Sequence, residues 1–295
     1  MNILVTGGTG FIGQHLCELL AKRGHNVTAL ARNPDSSGTE SGEIVVGDVT
    51  AYESIVDAFA DKDVVVNLVA LSPLFIPSGG NEMHERIHLG GTKNCLRAAE
   101  KHDVDRFVQM SALGADSTGA THYIRAKGRA EEAVSDADIA TTIVRPSVVF
   151  GDDGQFLRFV RKLTPPVVAP LPGGGETRFQ PIFVEDLVTM LADTVEDKAH
   201  SGETYDFGGP EVLTLAEVAK LVRKARGQSV TIVPVPMSVA GVGMTLAGAI
   251  PGFPMGRDQY QSLQFDNTTE QNDIDAFGFS SGDLRTVSEY VGLRD

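Results

Sequence analysis

Tyr123 and Lys127 stand four residues apart in Tyr123-Ile124-Arg125-Ala126-Lys127, a spacing that puts both side chains on one face of a helix. An ammonium beside a phenol favours the phenolate and lowers its pKa from a reference of about 10. A tyrosine so tuned can exchange a proton with an alcohol or a carbonyl near neutral pH, and the lysine can also hold a ribose. Ser111 closes a strand-like run and could hydrogen-bond the same substrate oxygen, or equally satisfy a strand-end backbone group. Taken alone, tyrosine and lysine at this spacing often form only a helix face. The elements that carry them decide.

Those elements begin with Thr6-Gly7-Gly8-Thr9-Gly10-Phe11-Ile12-Gly13, set between the apolar run Ile3-Leu4-Val5 and the helical pattern Leu16, Leu19, Leu20. Strand, glycine-rich turn, helix is the phosphate cradle of a dinucleotide-binding βαβ unit. Gly7 and Gly8 permit the turn, Gly10 lets backbone approach a pyrophosphate, and Gly13 lets the helix pack on the sheet. Thr9, Phe11 and Ile12 supply the turn and the positive helix end that face the phosphates. Arg32 closes the second strand, where an acid would accept from a ribose 2′-hydroxyl and an arginine would pair with a 2′-phosphate. NADP(H) is therefore favoured over NAD(H), although Asp35 nearby could still serve NAD. Asp48 and Val49 follow the third strand, with Asp48 placed to accept from an adenine amino group. Val69 and Ala70 end the fourth strand beside the same cofactor.

The first half alternates strands and helices: strands at Asn26–Ala31, Glu43–Val46, Val64–Ala70, Arg106–Ala112 and Thr141–Val149, with helices at Tyr52–Ala60, Glu82–Lys101 and Thr121–Ser135. Ile87, Leu96 and Ala99 are expected on the inner side of the long helix. This alternation implies an α/β fold, a Rossmann-type doubly wound parallel sheet with helices on both faces. Beyond Gly151 the rhythm breaks. Four prolines and three glycines make Thr164–Gly175 an expected loop. Helices at Val184–Val195 and Leu215–Ala225, with strands at Thr204–Phe207 and Val230–Val233, suggest a smaller α+β lobe. The expected division is a dinucleotide-binding domain at 1–151 and a substrate-side lobe at 152–295, some of whose segments return to the sheet.

A net charge of −14 argues against nucleic acid as a partner, which needs a basic surface. Arginine outnumbers lysine by 16 to 9, and the spread acidic excess fits a salt-rich source as well as an ordinary acidic enzyme. Cys17 and Cys95 lie in expected helices without a metal-ligand neighbour, and the histidines are read as lacking ligand spacing, so no metal is expected. His88 is read as packing or surface. Residue 3 already begins a core strand, which leads to the expectation of no leader and a cytoplasmic location. The weakly polar stretch from Val230 to Pro254 is broken by prolines and leaves only Met237 to Ile250, too short for the roughly 20 apolar residues a bilayer needs. It suits a helix lining a pocket or an interface, with Gly241, Gly243 and Gly248 making a flexible lid over an apolar site. Glu185 and Asp186 read as stabilisers of a helix's positive end. Arg178 and Arg257 could hold an anion but read better as solvated.

Gly7-x-x-Gly10-x-x-Gly13, Asp48, Tyr123-x-x-x-Lys127 and Arg145-Pro146-Ser147 together resemble the extended and atypical short-chain dehydrogenase/reductases, also called the NAD-dependent epimerase/dehydratase family, over essentially the whole chain. Gly91-Thr92-Lys93-Asn94, residues 106–115, Ser147-Val148-Val149-Phe150-Gly151 and residues 179–184 are similar to one branch. That branch holds the NADPH-binding accessory subunit of mitochondrial complex I and its prokaryotic homologues, some linked to quinone metabolism. The resemblance implies Tyr123 as proton donor, Lys127 as its ribose-holding partner and Pro146 as a nicotinamide neighbour. Leu113 departs from it, because sugar-nucleotide epimerases usually carry a catalytic hydroxyl there. Either Ser111 substitutes, or Thr118 reaches in from the following loop, or the hydroxyl partner is absent. The expected activity is an NADP(H)-dependent oxidoreductase on a hydrophobic carbonyl or quinone-related small molecule. An alternative is a non-catalytic NADPH-binding subunit, associated peripherally with a respiratory complex or the inner face of the cell membrane. A nucleotide-sugar epimerase or dehydratase is a third reading, weakened by Leu113 and by the few polar groups in residues 230–254.

Overall fold

Ile3, Leu4 and Val5 are fully buried, as a central strand covered on both faces requires. The computed structural model describes residues 1–32, 42–248 and 256–293. In chain order the amino half runs β1 (Asn2–Thr6), α1 (Phe11–Lys22), β2 (Asn26–Ala31), β3 (Glu43–Val46), β4 (Val64–Asn67), α2 (Glu82–His84), α3 (Gly91–Lys101), β5 (Arg106–Met110), α4 (His122–Ser135) and β6 (Ala140–Pro146). There follow β7 (Val149–Phe150), α5 (Gln155–Leu163), β8 (Val167–Pro172), β9 (Arg178–Phe179), β10 (Ile182–Phe183), α6 (Val184–Glu196), β11 (Thr204–Phe207), β12 (Leu213–Thr214), α7 (Leu215–Lys224), β13 (Val230–Val235) and α8 (Met237–Gly248).

Seven strands form one sheet in the order β11-β6-β5-β4-β1-β2-β3, and β1 to β6 pair in parallel. Strand order reverses between β1 and β4. In doubly wound sheets the crevice outside the carboxyl ends at such a point is where ligands bind. Below it, Leu4, Leu30, Ile55, Phe59, Val65, Leu96 and Phe107 form one apolar cluster that fixes the helices to the sheet.

The chain divides into two compact units, each discontinuous. One comprises Met1–Leu71, Asn81–Arg145 and Leu187–Tyr205; the other comprises Ser72–Gly80, Pro146–Asp186 and Asp206–Asp295. A single cut after residue 151 is thus coarser than the division observed. Segment 187–205 is held to the first unit partly by Arg23, which bridges Asp193 at 2.7 Å and Glu196 at 2.6 Å. In the second unit Ser147 donates to the Asn267 side chain at 2.8 Å, and β8 lies parallel to β13.

Three expected elements differ. Residues 52–60 form two short 3₁₀ turns, Tyr52–Ser54 and Val56–Phe59, not one helix. The segment needs only to drop Ile55 and Phe59 into the core, which tight turns do in fewer residues. Thr164–Gly175 is not all loop: Val167–Pro172 is a strand, and its prolines Pro170 and Pro172 are tolerated because a two-stranded sheet leaves one edge unpaired. The long helix is interrupted by a π turn at Glu85–Gly90. Ile87 and Leu96 are nine residues apart, which at about 100° per residue places them on opposite faces of a uniform helix. The wider turn absorbs the mismatch, and both are buried. Strands 4, 5 and 6 stop at Asn67, Met110 and Pro146, short of the expected ends, so the chain leaves the sheet where a site can form.

Candidate dinucleotide site

Gly7 has φ +76°, a left-handed conformation, and its N–H donates to Leu30 O at 2.9 Å, tying the turn to β2. A Cβ on Gly13 would run into the Gly7 carbonyl oxygen and come within 2.7 Å of Gly8 Cα, so only glycine lets α1 start this close to the strand. Gly10 caps α1 without a side chain, and no acidic residue stands in its first turn. The leading amides, on half-buried Phe11 and Ile12 and buried Gly13, keep their positive end for an anion.

In front of this turn lies a groove of about 720 Å³, its open mouth included, lined by Gly7, Thr9 and Gly10, the ends of β2 and β3 with Arg32, Asp48 and Val49, and Leu68 to Leu71 after β4. Eight residues expected at the cofactor therefore share one wall: Gly7, Thr9, Gly10, Arg32, Asp48, Val49, Val69 and Ala70. Asp48 accepts from the Thr50 amide at 2.8 Å. Burial works against its charge, but the Thr50 hydrogen bonds and the nearby Arg32 and Arg86 hold its carboxyl below the ordinary range. Asp48 stays an acceptor. Arg32 is exposed at the rim; Asp35, the alternative ribose partner, lies outside the described residues, as do Pro251 and Pro254.

A second cluster in the same unit rides on α4. Thr121 caps that helix by accepting from Ile124 N at 3.2 Å. Arg145 grips Glu131 through two bonds of 2.9 and 2.6 Å, fastening α4 to β6. Lys127 is only 2% exposed and donates from Nζ to Met110 O at 2.8 Å, at the carboxyl end of β5. The next residue, Ser111, is 3% exposed, and its Oγ has no hydrogen-bond partner among the described residues. Tyr123 and Lys127 share a helix face as expected, but their electrostatics run the other way. Burial pushes the phenol above its ordinary value, and burial also lowers the lysine from 10.5 to about 8, with Glu131 opposing. The ammonium spends its charge on a carbonyl, not on a phenolate.

A buried polar chain joins the cluster to the glycine turn. Thr6 Oγ1 donates to Asn67 Oδ1 at 2.6 Å, and Asn67 Nδ2 donates to Gln109 Oε1 at 2.9 Å. Gln109 Nε2 then donates to Met110 O at 2.9 Å, the same carbonyl that receives Lys127. Fully paired networks of this kind fix geometry in a dry interior.

Other candidates have their own surroundings. Thr118 is exposed and donates to Asp116 at 2.8 Å, so it does not supply the missing hydroxyl. Arg178 is committed to Asp266 at 2.6 Å. Pro146 is buried and ends β6. The histidines call for a correction: His84 and His88 do stand at i, i+4, and their rings stack 5.5 Å apart. Among the described residues no group of three or more histidine, cysteine or acidic side chains could hold a metal. His88 is 1% exposed, not surface, and packs against Tyr123. The spacing was visible in the sequence; the π turn that begins just after His84 and carries His88 was not.

The groove fits a dinucleotide by its uncapped helix end, its side-chain-free cradle and its acidic acceptor. The profile of the NAD(P)H-binding family matches residues 7–167, more than half of the chain. The chain belongs to that family. It is 33% identical over 231 residues to the mitochondrial NADH dehydrogenase [ubiquinone] 1 alpha subcomplex subunit 9 of Arabidopsis thaliana, covering 74% of this chain and 56% of that one. It is 28% identical over 255 residues to the chloroplastic divinyl chlorophyllide a 8-vinyl-reductase of Cucumis sativus, covering 81% and 60%. The chain thus spans less than two thirds of either relative. Its fold matches a short-chain dehydrogenase/reductase superfamily protein from Agrobacterium tumefaciens solved with bound NAD, with TM-score 0.74, 18% identity and coverage of 99% of this chain and 94% of that one. The resemblance to the branch that includes the respiratory subunits stands. Among the described residues no helix is long and apolar enough to cross a membrane.

Proposed function

We propose that this protein is an NADP(H)-dependent oxidoreductase that reduces a hydrophobic carbonyl or quinone-related small molecule. The observation that carries the reading is the buried Ser111 hydroxyl without a partner among the described residues, one residue from the carbonyl that holds Lys127. A buried hydroxyl left unpaired is disfavoured by about 1–3 kcal/mol, which a bound ligand oxygen would relieve. The dinucleotide supplies the hydride when bound. Gly7 to Gly13 hold its phosphates, Asp48 accepts from its adenine, and Arg32 pairs with a 2′-phosphate. Ser111 donates to the substrate oxygen. Tyr123, kept protonated by burial, gives that oxygen its proton as charge develops, and Lys127 orients the ribose. Pro146 is assigned to the nicotinamide side. Tyr123→Phe should lower turnover by at least about 100-fold while changing the dinucleotide Kd less than about twofold, measured by steady-state kinetics and fluorescence titration. Retained turnover would sink the mechanism.

A second reading is favoured by the respiratory relative and by Leu113 where an epimerase-type hydroxyl usually stands. Here the protein holds its nucleotide without reacting it, as an accessory subunit at a membrane-bound complex. Co-purification with membranes and a nucleotide that stays bound and unreacted would select it.

A further inference from the structure

His88 is a buried titratable side chain that the reaction above leaves unused. Its Nε2 accepts from the Leu71 amide at 3.3 Å, so the lone pair sits on Nε2 and the neutral ring carries its proton on Nδ1. That Nδ1 is enclosed and has no hydrogen-bond partner among the described residues. Neutrality is enforced by burial and by the facing charges of Lys127 and His84, which together pull the imidazole well below its ordinary range.

Its ring meets Tyr123 almost at right angles, 87° with centroids 5.3 Å apart, while His84 stacks on it and also touches Tyr123 at 5.6 Å. Leu71 lies in the loop after β4 and lines the dinucleotide groove, as does Ile87, next to His88. One side chain therefore has a hydrogen bond to the groove and an aromatic contact to the phenol. The backbone that presents it is a π turn, a rare local form that recurs at functional sites.

We propose that His88 is a positioning residue that ties the Val69–Leu71 wall of the dinucleotide groove to the Tyr123 phenol, so that cofactor and proton donor are set by one rigid group. The assignment of the phenol as donor rests on the reading above; the tether itself does not.

Two substitutions separate the halves of this role. His88→Phe keeps a ring against Tyr123 and removes the acceptor for Leu71. His88→Gln keeps an acceptor near the Nε2 position and removes the ring. In the full chain without dinucleotide, hydrogen exchange at the Leu71 amide should quicken at least about tenfold in His88→Phe and stay within about threefold of wild type in His88→Gln. Absorbance titration of the tyrosines should show the Tyr123 phenol moving down toward its ordinary value in His88→Gln but not in His88→Phe. NADPH affinity should fall about tenfold in His88→Phe and be largely rescued in His88→Gln. Unchanged Leu71 exchange in a folded His88→Phe variant, or an unmoved phenol in His88→Gln, overturns the inference. A wild-type protein that binds no NADPH overturns instead the functional reading, and the exchange and titration results still decide the tether.

Discussion

The first unit holds two polar places of opposite construction. At the rim of the groove, Arg32 is exposed and the cradle is backbone, the Gly7 turn and the uncapped start of α1, with the Asp48 carboxyl beside it. Around the carboxyl end of β5, Lys127, Ser111 and His88 are all more than nine-tenths buried, and the polar groups are side chains. A charge at the rim is screened by water and salt, whereas one in the dry cluster interacts several-fold more strongly. The rim should therefore forgive changes of side chain but not of backbone shape, and the buried cluster should forgive neither charge nor polarity.

Gly13→Val tests this most severely. The branched side chain meets the Gly7 carbonyl and the Gly8 backbone, and overpacking of this kind destabilises by about 1–3 kcal/mol. Dinucleotide binding should fall at least about 100-fold, read by thermal melting and fluorescence titration together. Near-normal binding would mean that the cradle is not made by backbone.

Lys127→Met tests the buried place. The folded lysine loses its proton near pH 8, while the unfolded one keeps it to 10.5. Burying the ammonium therefore burdens the fold below pH 8, and the burden lifts as pH rises from 8 toward 10.5, by at most about 3 kcal/mol. Wild-type stability should climb across that window, and the climb should vanish in Lys127→Met. Turnover should move oppositely, falling above pH 8 as the cation is lost. A wild type whose stability is flat across the window would show that this lysine is not buried as a cation. Arg32→Ser should have the smallest effect, weakening NADPH by about tenfold and NADH by less than about twofold. An unchanged ratio of the two affinities would remove the preference for the 2′-phosphate.

The same contrast explains what could be read in advance. β2, β3 and β11 begin and end where their apolar patterns do, and eight expected cofactor residues line one groove, because a backbone cradle must be written in local sequence as glycine and strand ends. The buried cluster was only half legible. Tyr123 and Lys127 share a face by helical spacing, but the Met110 carbonyl that claims Lys127 lies 17 residues away, and no local pattern encodes it. The Leu71–His88 bond likewise joins a loop to a helix whose pitch changes beneath it. β8 was missed for a related reason, since its partner β13 lies some sixty residues later and lends order to a proline-rich segment that has none alone.

The wide turn at Glu85–Gly90 sets the angle between the two histidines and the core residues beyond it. Removing the residue after His88 would restore a uniform helix and swing the residues before the cut by about 100°, carrying His84 and His88 off Tyr123. Leu96 and Ala99, beyond the turn, would stay in the core. A single deletion there would thus dissolve the aromatic trio while the core beneath the sheet and the glycine cradle persist.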